Sequence, residues 1–462
     1  MKNNLSNLSK KGLLFAALRH EELPRIPWVP FAGVHAGSLK GYRADQVLTD
    51  KEKLIESLLE VNHQYDPDGQ PVVFDLQIEA EILGCDLVWA ENAPPSVATH
   101  PLASTLELLT RLPEKTDGRL PLVLDAMARM KTEVGSHTAL YGLVTGPFTL
   151  ASHLRGTEIF MDMFDHPEYL RGLIAYTTQV AKRISEYYLD AGMDIIAVVD
   201  PLVSQISPKH FRNFLSADFT GLFSFIRQKG AFSSFFVCGD ATKNVEAMCQ
   251  TAPDCIAVDE NIDMLAAKQI TDQYDITLEG NIPLTTCMLF GTQQDNMKYV
   301  LDLIDAMFPG DVLPKNLIIS PGCDMPYDVP VDNVVGTMQA IREPETARLM
   351  VANYQSEEID LDQVSLPNYE QLAKPLMEVF TLDSASCPAC GYMLNAATRA
   401  FTELSGSVDM VEYKITEPKN VARMHKMGVK NLPSILINGQ VKFSSIIPSN
   451  RELIDALREA IK

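Results

Sequence analysis

Short apolar runs alternate with longer amphipathic stretches from Ile26 to Ser320. The runs are Ile26–Phe31, Cys85–Ala90, Ala139–Thr145, Asp194–Asp200, Ser233–Cys238, Cys255–Val258, Ile276–Gly280 and Leu317–Ser320. A helical stretch, Lys11–His20, precedes them, and Glu158–Leu189, Pro208–Lys229 and Asp295–Phe308 are among the helical patterns in between. Near-continuous apolar strands belong to parallel sheets covered on both faces, and strands alternating with helices predict βαβ units. Eight such repeats predict an α/β fold, a (β/α)8 TIM barrel over residues 1–350. An open doubly wound sheet is the alternative, but no Gly-x-Gly-x-x-Gly turn follows an early strand.

From Arg342 the pattern changes. The acidic segment Ser356–Pro367 reads as an exposed connection, within a linker assigned to residues 351–374. Residues 375–462 then read as strand Val379–Leu382, helix Cys387–Leu404, strand Val408–Ile415 and helix Val421–Met427. A hairpin, Leu432–Ile437 and Gln440–Ser444 turned by Asn438-Gly439, precedes a last helix, Asn450–Ile461. The order βαβαββα, with Cys387-Pro388-Ala389-Cys390 opening the first helix, resembles a small thioredoxin-like domain. A thiolate at a helix N-terminus is stabilised by unpaired N–H groups and the helix dipole, so its pKa falls. Cys387 is expected to be the reactive thiol and Cys390 the resolving one. In this resemblance Pro433 is the cis-proline that faces them. Half of a zinc site is the other reading, but no second Cys-x-x-Cys exists to complete it.

Two barrel runs end in a thiol beside a glycine: Cys238-Gly239-Asp240, and Pro321-Gly322-Cys323-Asp324. Barrel enzymes place their chemistry at the carboxyl ends of the strands, so the two thiols are expected to meet at one rim. Taken singly, each also suits a small core residue. The composition narrows the partners. A net charge of −21 argues against nucleic acid and anionic membranes. Hydrophobic content of 46% with 21% charged residues is globular, and 462 residues are too many for one core. The eight cysteines are scattered, which is thiol usage of the cytosol and not a secreted disulfide framework. No signal-like apolar core and no bilayer-length run stands out, so a soluble cytoplasmic protein is expected.

Several phrases of the barrel resemble the uroporphyrinogen decarboxylase superfamily from Lys10 to Ala347. They are Gly142–Ala151, Ala191–Asp194 running on to Asp200-Pro201, Cys238-Gly239-Asp240, Asp259-Glu260, Gly280-Asn281 and Ser320–Cys323. The last of these, with Phe74–Glu81, look like its methyltransferase branch. That resemblance implies a zinc enzyme that moves methyl groups between a corrinoid protein and coenzyme M or a similar acceptor. Zn²⁺ would hold a thiol substrate as its thiolate. The partners it implies are a corrinoid protein, a small-molecule methyl donor or acceptor and, for the chain itself, a second copy in a homodimer. The family motif is His-x-Cys near the fifth strand and Cys after the eighth. Cys238 and Cys323 match the sulfur positions, whereas Phe236 stands where the histidine should be.

Two explanations compete for that departure. Another rim side chain replaces the imidazole, with His35, Glu79, Glu81, Asp240 and Glu260 as candidates. Otherwise the metal is lost or changed, and the thiols remain as a redox or packing relic. Asp200, Asp259 and Asn281 are candidate catalytic groups, or else order the loops of the rim. Decarboxylation is the runner-up function, because decarboxylases of this superfamily carry an Arg-Gln-Ala-Gly-Arg segment after the first strand. Here that place reads Phe31–Lys40 without an arginine, and a polyacid needs such cations. A third reading is a metal-free scaffold that binds a corrinoid protein and presents a redox domain.

Overall fold

Seven strands run parallel in one sheet and pair in chain order. They are β1 (Gly69–Pro71), β2 (Ala139–Thr145), β3 (Ile195–Val199), β4 (Phe232–Val237), β5 (Cys255–Val258), β6 (Thr277–Ile282) and β7 (Leu317–Pro321). This computed structural model describes residues 8–310, 312–356, 361–384, 388–404 and 406–461. The segment around Trp28 joins β7 to β1. Ile319 N–H donates to Pro27 O and Val29 N–H to Ile319 O, while Trp28 O accepts from Asp68 N–H. The sheet therefore closes into a TIM barrel in which this segment is the eighth stave.

Some elements differ from their sequence-based expectation. Ile26–Phe31 is reduced to a single bridge at Trp28, because Pro27 and Pro30 have no N–H to give a ladder. The run at Cys85–Ala90 is not a barrel strand. Its Leu87–Val88 pairs antiparallel with Ser96–Val97 in a separate ribbon. The barrel takes Gly69–Pro71 instead, three buried residues just ahead of Val72-Val73-Phe74. The helix expected at Glu158–Leu189 breaks before Pro167 into Glu158–Asp165 and Pro167–Asp190. Pro208–Lys229 likewise forms two helices, Pro208–Phe214 and Ser216–Gln228.

Side chains alternate across each strand. Tyr141, Leu143, Ala197, Val199, Phe236, Ala257 and Ile318 share the interior cluster with Phe31 and Phe74. On the outer face, Phe235 stacks on Phe219 of helix Ser216–Gln228 at 4.3 Å between ring centroids.

The C-terminal unit has four strands: β8 (Leu376–Thr381), β9 (Asp409–Lys414), β10 (Ser434–Ile437) and β11 (Gln440–Ser444). Their order is β9-β8-β10-β11, with β8 parallel to β9 and antiparallel to β10. One face packs Met377, Val379 and Ile435 against Met393, Ala397, Leu453 and Leu457 of the first and last helices. The other packs Phe380 and Leu436 against Val421 and Met424. Asn438 and Gly439 both take positive φ, 49° and 75°, as a tight hairpin turn requires. No helix among the described residues is long and apolar enough to cross a membrane.

Inside the barrel, Glu279 of β6 is wholly buried, with its Oε2 3.6 Å from Cys255 Sγ. Burial raises its carboxyl from the ordinary 4.5 to about 8. The folded chain thus keeps a proton that the unfolded chain has released, and folding is disfavoured progressively as pH rises between those values. Glu279→Gln has the shape of the protonated acid without its titration. Its stability should match wild type near pH 4.5 and exceed it by roughly 4 kcal/mol near pH 8. Denaturant unfolding at both pH values checks this, and a gap that does not widen contradicts it.

Candidate active site at the barrel mouth

Strands β4 and β7 deliver Cys238 and Cys323 to the same rim. The sulfurs are joined in a disulfide, with Cα atoms 5.9 Å apart. Strands β5 and β6 lie between β4 and β7 in the sheet, so the bond is a chord across the mouth. Two acids follow β5 in the intervening turn. Gly239 N–H donates to the Asp259 carboxylate. On the other side, a Cβ on Gly322 would stand only 2.8 Å from Glu260 N, so only glycine fits beside Cys323. Asp259 and Glu260 are thereby held against the residues next to both sulfurs. Beneath the pair, Phe236 packs on Phe31 and Phe74 at centroid distances of 4.8 and 5.9 Å. Both half-buried cysteines rest on this aromatic cluster.

The candidate catalytic groups divide by what holds them. Asp200 is buried and accepts from Phe148 N–H at 2.8 Å, Thr149 N–H at 3.1 Å and Thr149 Oγ1 at 2.6 Å. It therefore caps helix Pro147–Arg155, whose positive end favours an acid. Burial nonetheless raises its carboxyl to about 7. A Cβ on Gly146 would lie 2.3 Å from Asp200 Cβ, which explains the glycine at that helix start. Asn281 has both amide protons directed to backbone carbonyls, Asp259 O at 2.9 Å and Ile262 O at 2.8 Å. Its Oδ1 accepts from Tyr299 Oη at 2.8 Å. It orders the rim. Asp259 accepts from Asn261 N–H at 2.9 Å, and burial raises its pKa. Burial and the neighbouring Asp259 charge push Glu260 up to about 8.

The residues suggested as a substitute zinc ligand are engaged elsewhere. Buried His35 has Nδ1 3.0 Å from Tyr327 O and Nε2 2.7 Å from Tyr65 Oη. A carbonyl can only accept, so Nδ1 carries the proton and the Nε2 lone pair takes the Tyr65 O–H. Burial lowers its pKa to about 4. Glu79 accepts from Thr145 N–H at 3.0 Å and Thr145 Oγ1 at 2.8 Å. Glu81 accepts from Arg119 Nε at 2.8 Å. Asp240 accepts from Thr242 N–H at 3.1 Å, and Glu260 from Leu284 N–H. Among the described residues no three His, Cys, Asp or Glu side chains come together as a metal would need. With both sulfurs in one bond and the nearby carboxylates taken by backbone N–H donors, this arrangement does not fit zinc.

Two groups at this end went unread in the sequence. Asp324 accepts from Gly33 N–H at 2.7 Å, and burial pushes its carboxyl well up. Arg119 pairs with Asp75 as well as Glu81, under the ring of Trp89 at 4.9 Å. The acidic run Asp75–Glu81 was visible, but its cation lies far downstream with nothing local to mark it.

In the C-terminal unit Cys390 is buried, and Leu382 N–H donates to its Sγ at 3.3 Å. The Leu432–Pro433 peptide bond is cis, as expected. Cys387 lies outside the described residues.

Residues 9–344 match the uroporphyrinogen decarboxylase (URO-D) family and residues 377–458 a thioredoxin domain. Methylcobamide:CoM methyltransferase MtbA of Methanosarcina acetivorans is 24% identical over 340 residues, covering 71% of this chain and 96% of that protein. Uroporphyrinogen decarboxylase of Nostoc punctiforme is 24% identical over 268 residues, covering 55% of this chain and 74% of that protein. A solved methyltransferase from Methanosarcina mazei shares the fold at a TM-score of 0.66 and 21% identity, over 73% of this chain and all of that one.

Removing Arg119 strands the fully buried Asp75 side chain. Arg119→Met should cost about 3–5 kcal/mol in urea unfolding. Adding Asp75→Asn should recover much of the loss, since no buried charge then lacks a partner. Loss under 1 kcal/mol, roughly that of a surface pair, would contradict the assignment.

Proposed function

Because the chain belongs to the uroporphyrinogen decarboxylase family, we propose that its barrel moves a methyl group from a partner protein's corrinoid to a thiol or similar small acceptor. Likeness to methylcobamide:CoM methyltransferases over most of their length supports this reading. The observation that carries it over decarboxylation is the loop after Trp28. Its Gly33 N–H is taken by the Asp324 carboxylate, and no arginine stands in Phe31–Lys40. A substrate with many carboxylates would meet acids there instead of cations.

In the transfer the acceptor sulfur loses its proton and takes the methyl group, while the electron pair of the broken carbon–cobalt bond stays with the corrinoid. The chain must receive that proton and hold the sulfur in line. Glu260, pushed up to about 8, is matched to a thiol of ordinary pKa near ~8.5 and is the base we assign. Asp259 sits beside it, and Asp200 fixes the start of helix Pro147–Arg155. The zinc implied by the resemblance finds no group of three ligands among the described residues, and this transfer does not draw on it. The thioredoxin domain exchanges thiols and disulfides at Cys387 and Cys390, in the cytoplasm where such thiols persist.

The test uses a methylated corrinoid protein with small thiol acceptors and follows loss of the methyl–cobalt absorbance. Wild type should catalyse it, and Glu260→Gln should slow it by about 10²-fold or more at neutral pH. Uroporphyrinogen should not be turned over. No methyl loss with any thiol, or coproporphyrinogen above background, would refute the reading.

A further inference from the structure

The barrel does not need Cys238–Cys323 to stay closed. Its ladder runs unbroken from β1 to β7, and the Trp28 segment joins the ends. The disulfide instead ties two rim turns, 85 residues apart in sequence, at the end where such barrels carry chemistry. Its two cysteines are half-buried residues, whereas Cys85, Cys249, Cys255 and Cys287 are all buried. An attacking thiolate needs that access. The floor under the pair is apolar, with Phe236 placed on the same side of β4 as Cys238 by strand alternation. It suits an uncharged disulfide and supplies neither a third ligand nor a cation to hold two thiolates.

We propose that Cys238 and Cys323 form a redox centre that cycles between disulfide and dithiol, with a Cys-x-x-Cys dithiol of the thioredoxin class as its reductant. This chain itself carries a domain of that class at residues 377–458. One thiolate of the reductant attacks a barrel sulfur, forming a mixed disulfide and releasing the other barrel sulfur as a thiolate. The reductant's second thiol then attacks its own partner sulfur and frees the barrel. Two electrons and two protons pass to the barrel, which gains two thiols, and the reductant ends as a disulfide. The cycle decides whether the mouth presents two thiols beside Asp259 and Glu260, or none.

The test follows the Cys238 and Cys323 peptides of the air-oxidised full-length protein by alkylation and mass spectrometry. The probes are thioredoxin, recycled by its reductase and NADPH, and glutathione at equal thiol concentration. The two peptides should begin as one cross-linked species and become two alkylated ones, about tenfold or more faster with thioredoxin. In Cys323→Ala, checked for native thermal unfolding, Cys238 should be alkylated from the start. The proposal fails if the native oxidised protein already shows both thiols. It also fails if the cross-link yields only after unfolding, or if glutathione matches thioredoxin. Peptide masses report the disulfide alone, so failure here is separable from failure of methyl transfer.

Discussion

The mouth of this barrel buries more carboxylates than it has cations to neutralise, and that constraint shapes everything around it. Arg119 serves Asp75 and Glu81. The rest rely on N–H and O–H donors. Glu79 takes those of Thr145, Asp200 those of Phe148 and Thr149, Asp259 those of Gly239 and Asn261, and Asp324 that of Gly33. Hydrogen bonds to the charged form hold a carboxylate's pKa down, yet burial outweighs them at Glu79, Asp200, Asp259 and Asp324. Such a rim keeps protons near neutrality and turns polyanions away.

The sulfur pair follows from the same geometry. Backbone donors can reach the acids only if the turns come close, as Gly322 does against Glu260. The same rim joins the ends of β4 and β7 through the Cys238–Cys323 bond. Below them, Phe31, Phe74 and Phe236 exclude water and offer no lone pair. The acids beside them are taken by backbone N–H donors, so chemistry at this mouth is governed by whether the two sulfurs are bonded.

Much of this was legible in the sequence, for reasons that can be named. Buried parallel strands such as Ala139–Thr145 leave long apolar runs, so the barrel could be read from its middle staves. The convergence of Cys238 and Cys323 followed from their places just past strands. The stave at Ile26–Phe31 was read from its apolar run although its prolines leave it a single bridge, whereas Gly69–Pro71, a glycine, a glutamine and a proline, was not. Ligand assignment was harder. His35 and Glu79 have the right chemistry, but Tyr65 and Thr145, the residues that occupy them, come from distant segments. Glu279 was marked by a carboxylate in the middle of an apolar strand, a signal open to reading and passed over.

Beneath the two mouth sulfurs lies the ring of Phe236, which can give a metal no ligand. The decisive measurement is the zinc affinity of the reduced protein, by competition with a chromophoric chelator under anaerobic conditions. Phe236→His should bind one zinc per chain at least about tenfold more tightly than wild type, since imidazole adds the missing ligand. A reduced wild-type protein that holds zinc as tightly as the variant would show that the rim supplies its own further ligand and that Phe236 does not keep the metal out.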